Sequence, residues 1–178
     1  MRWFATSLCL AAVLAAWVPA ADASPRSADL VGSFAMFCIP GPPDFAAIDA
    51  KAAAAKLSVR EETGTPRQPG QFAHSKSWLV PLASGPHRLV AQETRGATGE
   101  TASCGIGADD VDGEALRQEL VRMLKLDAPL RQTPTPDGAQ RVTVWKYGDD
   151  TTLLLADGTP IRIPGMYLTL LRQTNTSH

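Results

Sequence analysis

The residues best equipped for chemistry gather in one polar run. From Glu61 to Lys76 the chain reads Glu-Glu-Thr-Gly-Thr-Pro-Arg-Gln-Pro-Gly-Gln-Phe-Ala-His-Ser-Lys. It brings together two carboxylates (Glu61, Glu62), two cations (Arg67, Lys76) and an imidazole (His74). Such a mixture can grip charged and polar groups, so these five are the candidate binding residues. Catalysis asks for more. Paired glycosidase carboxylates must face one another across a cleft, which adjacent Glu61 and Glu62 do not do. Ser77 with His74 or His87 and an aspartate could compose a Ser-His-Asp set, but any domain of ordinary size offers such combinations.

Motifs that would settle an activity are missing. The chain has no Gly-x-Ser-x-Gly elbow, no Gly-x-x-x-x-Gly-Lys phosphate loop and no His-Glu-x-x-His. Gly105-Ile-Gly107 is a lone Gly-x-Gly, with Asp110 where a dinucleotide fingerprint needs its third glycine. Zinc needs three or four convergent ligands, and His74 and His87 have no third partner at metal spacing. The acids from Asp110 to Glu119 fit a calcium loop only in part. Counting from Ala108, Asp110, Asp112, Gly113 and Glu119 fall in place, but Ala108 stands where the motif wants a carboxylate. Helix capping accounts for the same acids. The expectation is therefore no catalytic residue, no metal and no cofactor, with enzymatic activity left open: a hydrolase with an unrecognised site would depend on His74 or His87.

Cysteine usage is more decisive. Cys9 lies in an apolar N-terminal run, leaving Cys38 and Cys104 as a pair. An even count in an exported chain reads as a disulfide. Closing a loop from 38 to 104 stabilises by about 4 kcal/mol on the chain-entropy relation. A reactive pair would want close spacing such as Cys-x-x-Cys, which is absent.

Export itself is read from residues 1–23. Met1-Arg2 is a short positive start, Trp3 to Val18 is mostly apolar, and Ala21-Asp22-Ala23 is a small-x-small cleavage site. The expected product is a periplasmic or secreted chain from Ser24, with no membrane span after cleavage. Residues 24–178 suit a single domain with a real core. The formal net charge of −1, with both signs interspersed, speaks against nucleic acid and against a polybasic membrane surface. No internal repeat is visible.

The elements follow from periodicity. Leu30, Phe34 and Phe37 predict a helix over 30–37, ended by Ile39-Pro-Gly-Pro-Pro43. Asp44 is an N-cap for a second helix that buries Phe45, Ile48, Ala52 and Ala55. The third helix, 112–126, is the clearest. Asp112 caps it, Val111 and Leu116 sit as a hydrophobic staple, and Leu116, Leu120, Met123 and Leu124 share a face. Arg117, Gln118, Glu119, Arg122 and Lys125 are placed on the wet side. Strands are predicted at 77–82, 87–94, 101–107, 141–147, 151–156 and 166–172, with turns at Ser84-Gly85, 133–138, 148–150 and Asp157-Gly158. Pro81 would put the first strand at an edge. Glu61–Lys76, rich in Gly and Pro, reads as a long exposed loop, and the tail from Thr174 as frayed. The sum is an α+β domain: an antiparallel sheet of five to six strands with helices on one face and one disulfide.

The order Cys38, Trp78, Cys104, Trp145 resembles small exported two-cysteine proteins of proteobacteria whose function is not established. The resemblance spans most of the chain after residue 23 and implies an α+β fold with one cross-link, without catalytic residues. The functional expectation is a non-enzymatic protein that binds an unknown protein partner or small ligand. The alternative is an inhibitor of a cell-envelope or toxin enzyme.

Overall fold

The computed structural model describes residues 24–68, 71–96, 99–109, 111–134, 140–158 and 168–175. Readings that fall on residues 1–23, the turn at 135–138, residues 166–167 and the end from 176 lie outside them. The elements run α1 (Pro25–Phe37), α2 (Phe45–Ala54), β1 (Ser58–Gln68), β2 (Gln71–Val80), β3 (His87–Gly96), β4 (Gly99–Gly107), α3 (Gly113–Leu124), β5 (Arg131–Pro134), β6 (Gln140–Lys146), β7 (Thr151–Gly158) and β8 (Leu168–Asn175).

All three predicted helices are present, and local capping explains their starts. Asp44 accepts from the Ala47 amide at 2.8 Å and Asp112 from the Ala115 amide at 3.0 Å. α1 begins five residues earlier than its apolar period suggests, because Ser24 caps it, accepting from the Ser27 amide at 3.2 Å, and Pro25 occupies a first-turn position needing no N–H. α3 ends on Lys125 in the left-handed conformation, with φ 51°. Two side chains of α3 exchange their expected places. Glu119 is buried and hydrogen-bonded to Arg122 at 2.9 Å, whereas Met123 is exposed. Ala55, expected on the buried face of α2, is exposed.

The strands form one antiparallel eight-stranded sheet in the order β1-β2-β3-β4-β8-β7-β6-β5. That corrects the expected five to six strands. β1 and β5 are the additions. Each is an edge strand with no fully buried side chain among its described residues, so neither carries the half-buried alternation by which strands are recognised. β2 is interior, so Pro81 does not mark an edge; it lies just past the strand's end, where no ladder N–H is needed. Asp157-Gly158 pairs with Arg141 and Gln140 and extends β7 instead of turning, and Thr174–Asn175 likewise pairs with β4. The sheet is two four-stranded meanders, β1–β4 and β5–β8, each preceded by helix and joined through their last strands.

Every helix packs on one side of this sheet. Leu30, Val31, Phe34, Ile48, Leu116 and Leu120 meet Trp78, Leu89, Ala91, Ile106, Leu153 and Leu170 in one buried cluster. The register places those strand residues on a single face, with Ala91, Cys104, Leu170, Leu153 and Trp145 in one row across five strands. Cys38, the C-cap of α1, is disulfide-bonded to Cys104, with Cα atoms 5.4 Å apart. The expected disulfide is thus present, and it fastens the end of α1 to the middle of β4.

Candidate functional site

Glu61–Lys76 is not a loop. It forms most of the β1–β2 hairpin, paired from Ser58–Leu79 to Gln68–Gln71. Its glycines and prolines misled the reading because Pro66 sits on an edge strand, where a missing N–H costs no ladder bond. Alternation along the hairpin then divides the five candidate binding residues. Glu62 faces Lys76 across the ladder and Gly64 faces His74, which puts Glu62, His74 and Lys76 on the helix side. Glu61 faces Ser77 and points the other way. Arg67 falls in β1 at a register irregularity between Pro66 and Gln68.

On the helix side a chain of charges crosses three strands into α2. His74 Nε2 lies 3.1 Å from Glu62 and Nδ1 lies 3.8 Å from Glu93 of β3. Lys76 Nζ lies 3.0 Å from Asp49 of α2 and 3.4 Å from Glu62. The imidazole is flanked by Phe45, at a centroid distance of 4.1 Å, and by Phe72 at 6.0 Å in an edge-on arrangement. Lys76 also stands 5.6 Å from the Trp78 ring centroid. Its hydrogen bond to Asp49 holds its ammonium form above the ordinary lysine range against the opposing effect of burial, with Glu62 adding to the rise. Of the two ring nitrogens only Nε2 is within hydrogen-bond reach of a carboxylate, that of Glu62. The arrangement suits a latch that ties α2 to the hairpin.

The opposite side of β1–β4 has no helix over it. Its side chains are mostly polar: Thr63, Ser75, Ser77, Gln92, Thr94 and Ser103, with Glu61 and Arg88 as the charged pair and Ala73, Leu79 and Val90 as apolar members. Arg88 donates from Nη2 to Glu61 at 3.1 Å and to Ser77 at 3.4 Å, and Gln92 donates to Ser75 at 3.4 Å. Apart from Leu79, Val90 and Ser103 these residues, with His74, line an open groove of about 370 Å³. A second cavity, of about 410 Å³, continues past Arg88 at the end of the face, between Arg60, Leu79, Pro86, Ala108 and Asp109.

His87, the other candidate histidine, begins β3 and is only 1% exposed, with no hydrogen-bond partner at either ring nitrogen among the described residues. Burial pushes its pKa below the ordinary histidine value, and the Arg26 charge adds to the effect while Asp29 opposes it. Arg26 itself donates to the Asp109 carbonyl at 2.9 Å and to the Ser84 carbonyl, stitching the start of α1 over the β2–β3 turn. Trp78 and Trp145 both lie in the core.

Sequence reasoning missed Asp49, Arg88, Gln92 and Glu93. The predicted β3 already placed Arg88 and Gln92 on one face. What it lacked was β1, without which neither the groove wall nor the Glu61–Arg88 pair can be drawn. Among the described residues no group of three or more His, Cys, Asp or Glu side chains could hold a metal ion, and no helix is long and apolar enough to cross a membrane. No protein family, curated protein or solved structure matches the chain.

Proposed function

We propose that this is an exported, non-catalytic binding protein, of the small two-cysteine kind that its sequence resembles, and that its binding surface is the helix-free face of β1–β4. One observation carries the reading. Three helices, the disulfide and the main apolar cluster lie on one side of the sheet, while the other side of β1–β4, where Ser77, Val90 and Ser103 are buried, carries no helix and holds a polar groove. The helix-side cluster around His74 is spent on internal pairing. The outer face keeps short side chains able to donate and accept hydrogen bonds across a wide area, which suits recognition better than bond making.

A photo-crosslinking residue at Gln92, compared with one at Met36 on the exposed side of α1, tests this in an envelope extract. Adducts from position 92 alone support the reading; equal or absent adducts at 92 overturn it. The inhibitor alternative draws on the long β1–β2 hairpin, whose far end exposes Phe72 at 40% and could enter an active-site cleft. Failure to inhibit any of a panel of lysozyme-type hydrolases removes it.

A further inference from the structure

We infer that the cavity at the end of the helix-free face is a site for a small amphipathic carboxylate. This deepens the binding reading by naming a ligand class for one part of that face. It involves the pocket lined by Arg60, Glu61, Leu79, Arg88 and Ala108, at about 410 Å³. That volume lies in the range of small-ligand sites, roughly 300–1,000 Å³.

The walls and the charges specify the class. Leu79, Pro86 and Ala108 supply an apolar lining, and β4 runs out there on Gly107, which adds no side chain to fill the space. Arg60 sits at the irregularity between Val59 and Glu61, exposed and with no ion pair among the described residues. Arg88 is only half used. Nη2 serves Glu61 and Ser77, whereas Nε is shielded from solvent and has no partner among the described residues. A buried guanidinium N–H without an acceptor is costly, and a carboxylate meeting the Arg88 fork relieves that cost by bidentate pairing. Glu61 is the internal stand-in for such a group. At 63% side-chain exposure it can swing away when a ligand carboxylate replaces it, and Arg60 then balances the added charge. Asp109 lies on the far side, where its backbone carbonyl is held by Arg26. Its carboxylate repels a second anionic group, so one acid head on an apolar body is favoured over a dianion.

The test is a titration of the oxidised protein with 3-phenylpropanoate, read from amide NMR shifts of Gly107 and Ala108. 3-Phenylpropanamide is the neutral control. The expected result is saturable shifts with the acid and at least tenfold weaker response with the amide. Glu61→Gln removes the competing carboxylate and should tighten binding several-fold, whereas Arg88→Gln and Arg60→Gln should each weaken it. A merely structural Glu61–Arg88 pair predicts the opposite sign for Glu61→Gln. Absence of saturation, an equal response to the amide, or weaker binding by Glu61→Gln overturns the inference. Because the probe and the readout are confined to this pocket, failure here leaves the Gln92 crosslinking result free to stand or fall separately.

Discussion

Removing the cross-link with Cys38→Ala and Cys104→Ala together should be among the most damaging changes this fold can suffer. The half-cystines are 66 positions apart, and opening a loop of that size releases about 4 kcal/mol of denatured-state entropy. Both cysteines are buried, so deleting two sulfur atoms adds a packing loss on the order of 1 kcal/mol. The sum, about 5 kcal/mol, is comparable to the entire stability of a marginal domain. At about 2–4 °C per kcal/mol for a chain of this size, the melting temperature should fall by roughly 10–20 °C. The loss has a place as well as a size. Cys38 is the C-cap of α1, its amide bonded to the Phe34 carbonyl at 2.8 Å, so α1 should be the first element to lose protection in hydrogen exchange. Urea unfolding of the oxidised protein, the reduced protein and the double variant measures the effect. A destabilisation below about 1 kcal/mol would refute the reasoning, because the cross-link would then constrain neither the unfolded chain nor α1.

Further outcomes follow from individual side chains. His87 is neutral in both states above its ordinary value of 6.5. Below that the unfolded chain takes up a proton that the folded one resists. Stability should therefore fall as pH drops from 7.5 to 5, and His87→Leu should flatten that slope in urea midpoints. Glu114 and Glu119, held below the carboxylate range mainly by Arg117 and Arg122 respectively, add stability that is present above about 4.5 and lost in a separate, more acidic window. Thr143 is fully buried with no partner for its hydroxyl, so Thr143→Val should raise stability by about 1 kcal/mol in the same assay. Asp112→Ala removes the cap on the Ala115 amide and should cost about 1 kcal/mol, with exchange quickening in the first turn of α3. Leu153→Ala, at the buried centre of β7, should cost roughly 2–5 kcal/mol by cavity formation.

How much of this was legible in the chain depends on where each signal resides. Capping acids and apolar periods are local, so Asp44, Asp112 and the Leu116–Leu120 stripe announce their helices without knowledge of the rest. The half-cystines are legible for another reason: two cysteines after residue 23 offer one pairing. Edge strands are different. β1 owes its extended form to the ladder with β2, not to a buried face of its own, and its Gly and Pro content imitates a loop. That single misreading has a wide effect. It makes one exposed loop out of residues that the pleat sends to two faces. The pairing of His74 with Glu93, and of Lys76 with Asp49, needed the strand order and the docking of α2, neither of which is encoded locally.

The central claim is that recognition belongs to the helix-free face. Its most direct test is a quantitative capture from envelope extract with oxidised wild type, Gln92→Arg, Thr63→Arg and Met36→Arg in parallel. Each bait is first checked for an unchanged melting temperature. The account predicts that a stoichiometric partner, or retention of a labelled ligand mixture, is lost with the two face variants and kept with Met36→Arg. Capture that survives both Gln92→Arg and Thr63→Arg, or that fails with Met36→Arg instead, would contradict it.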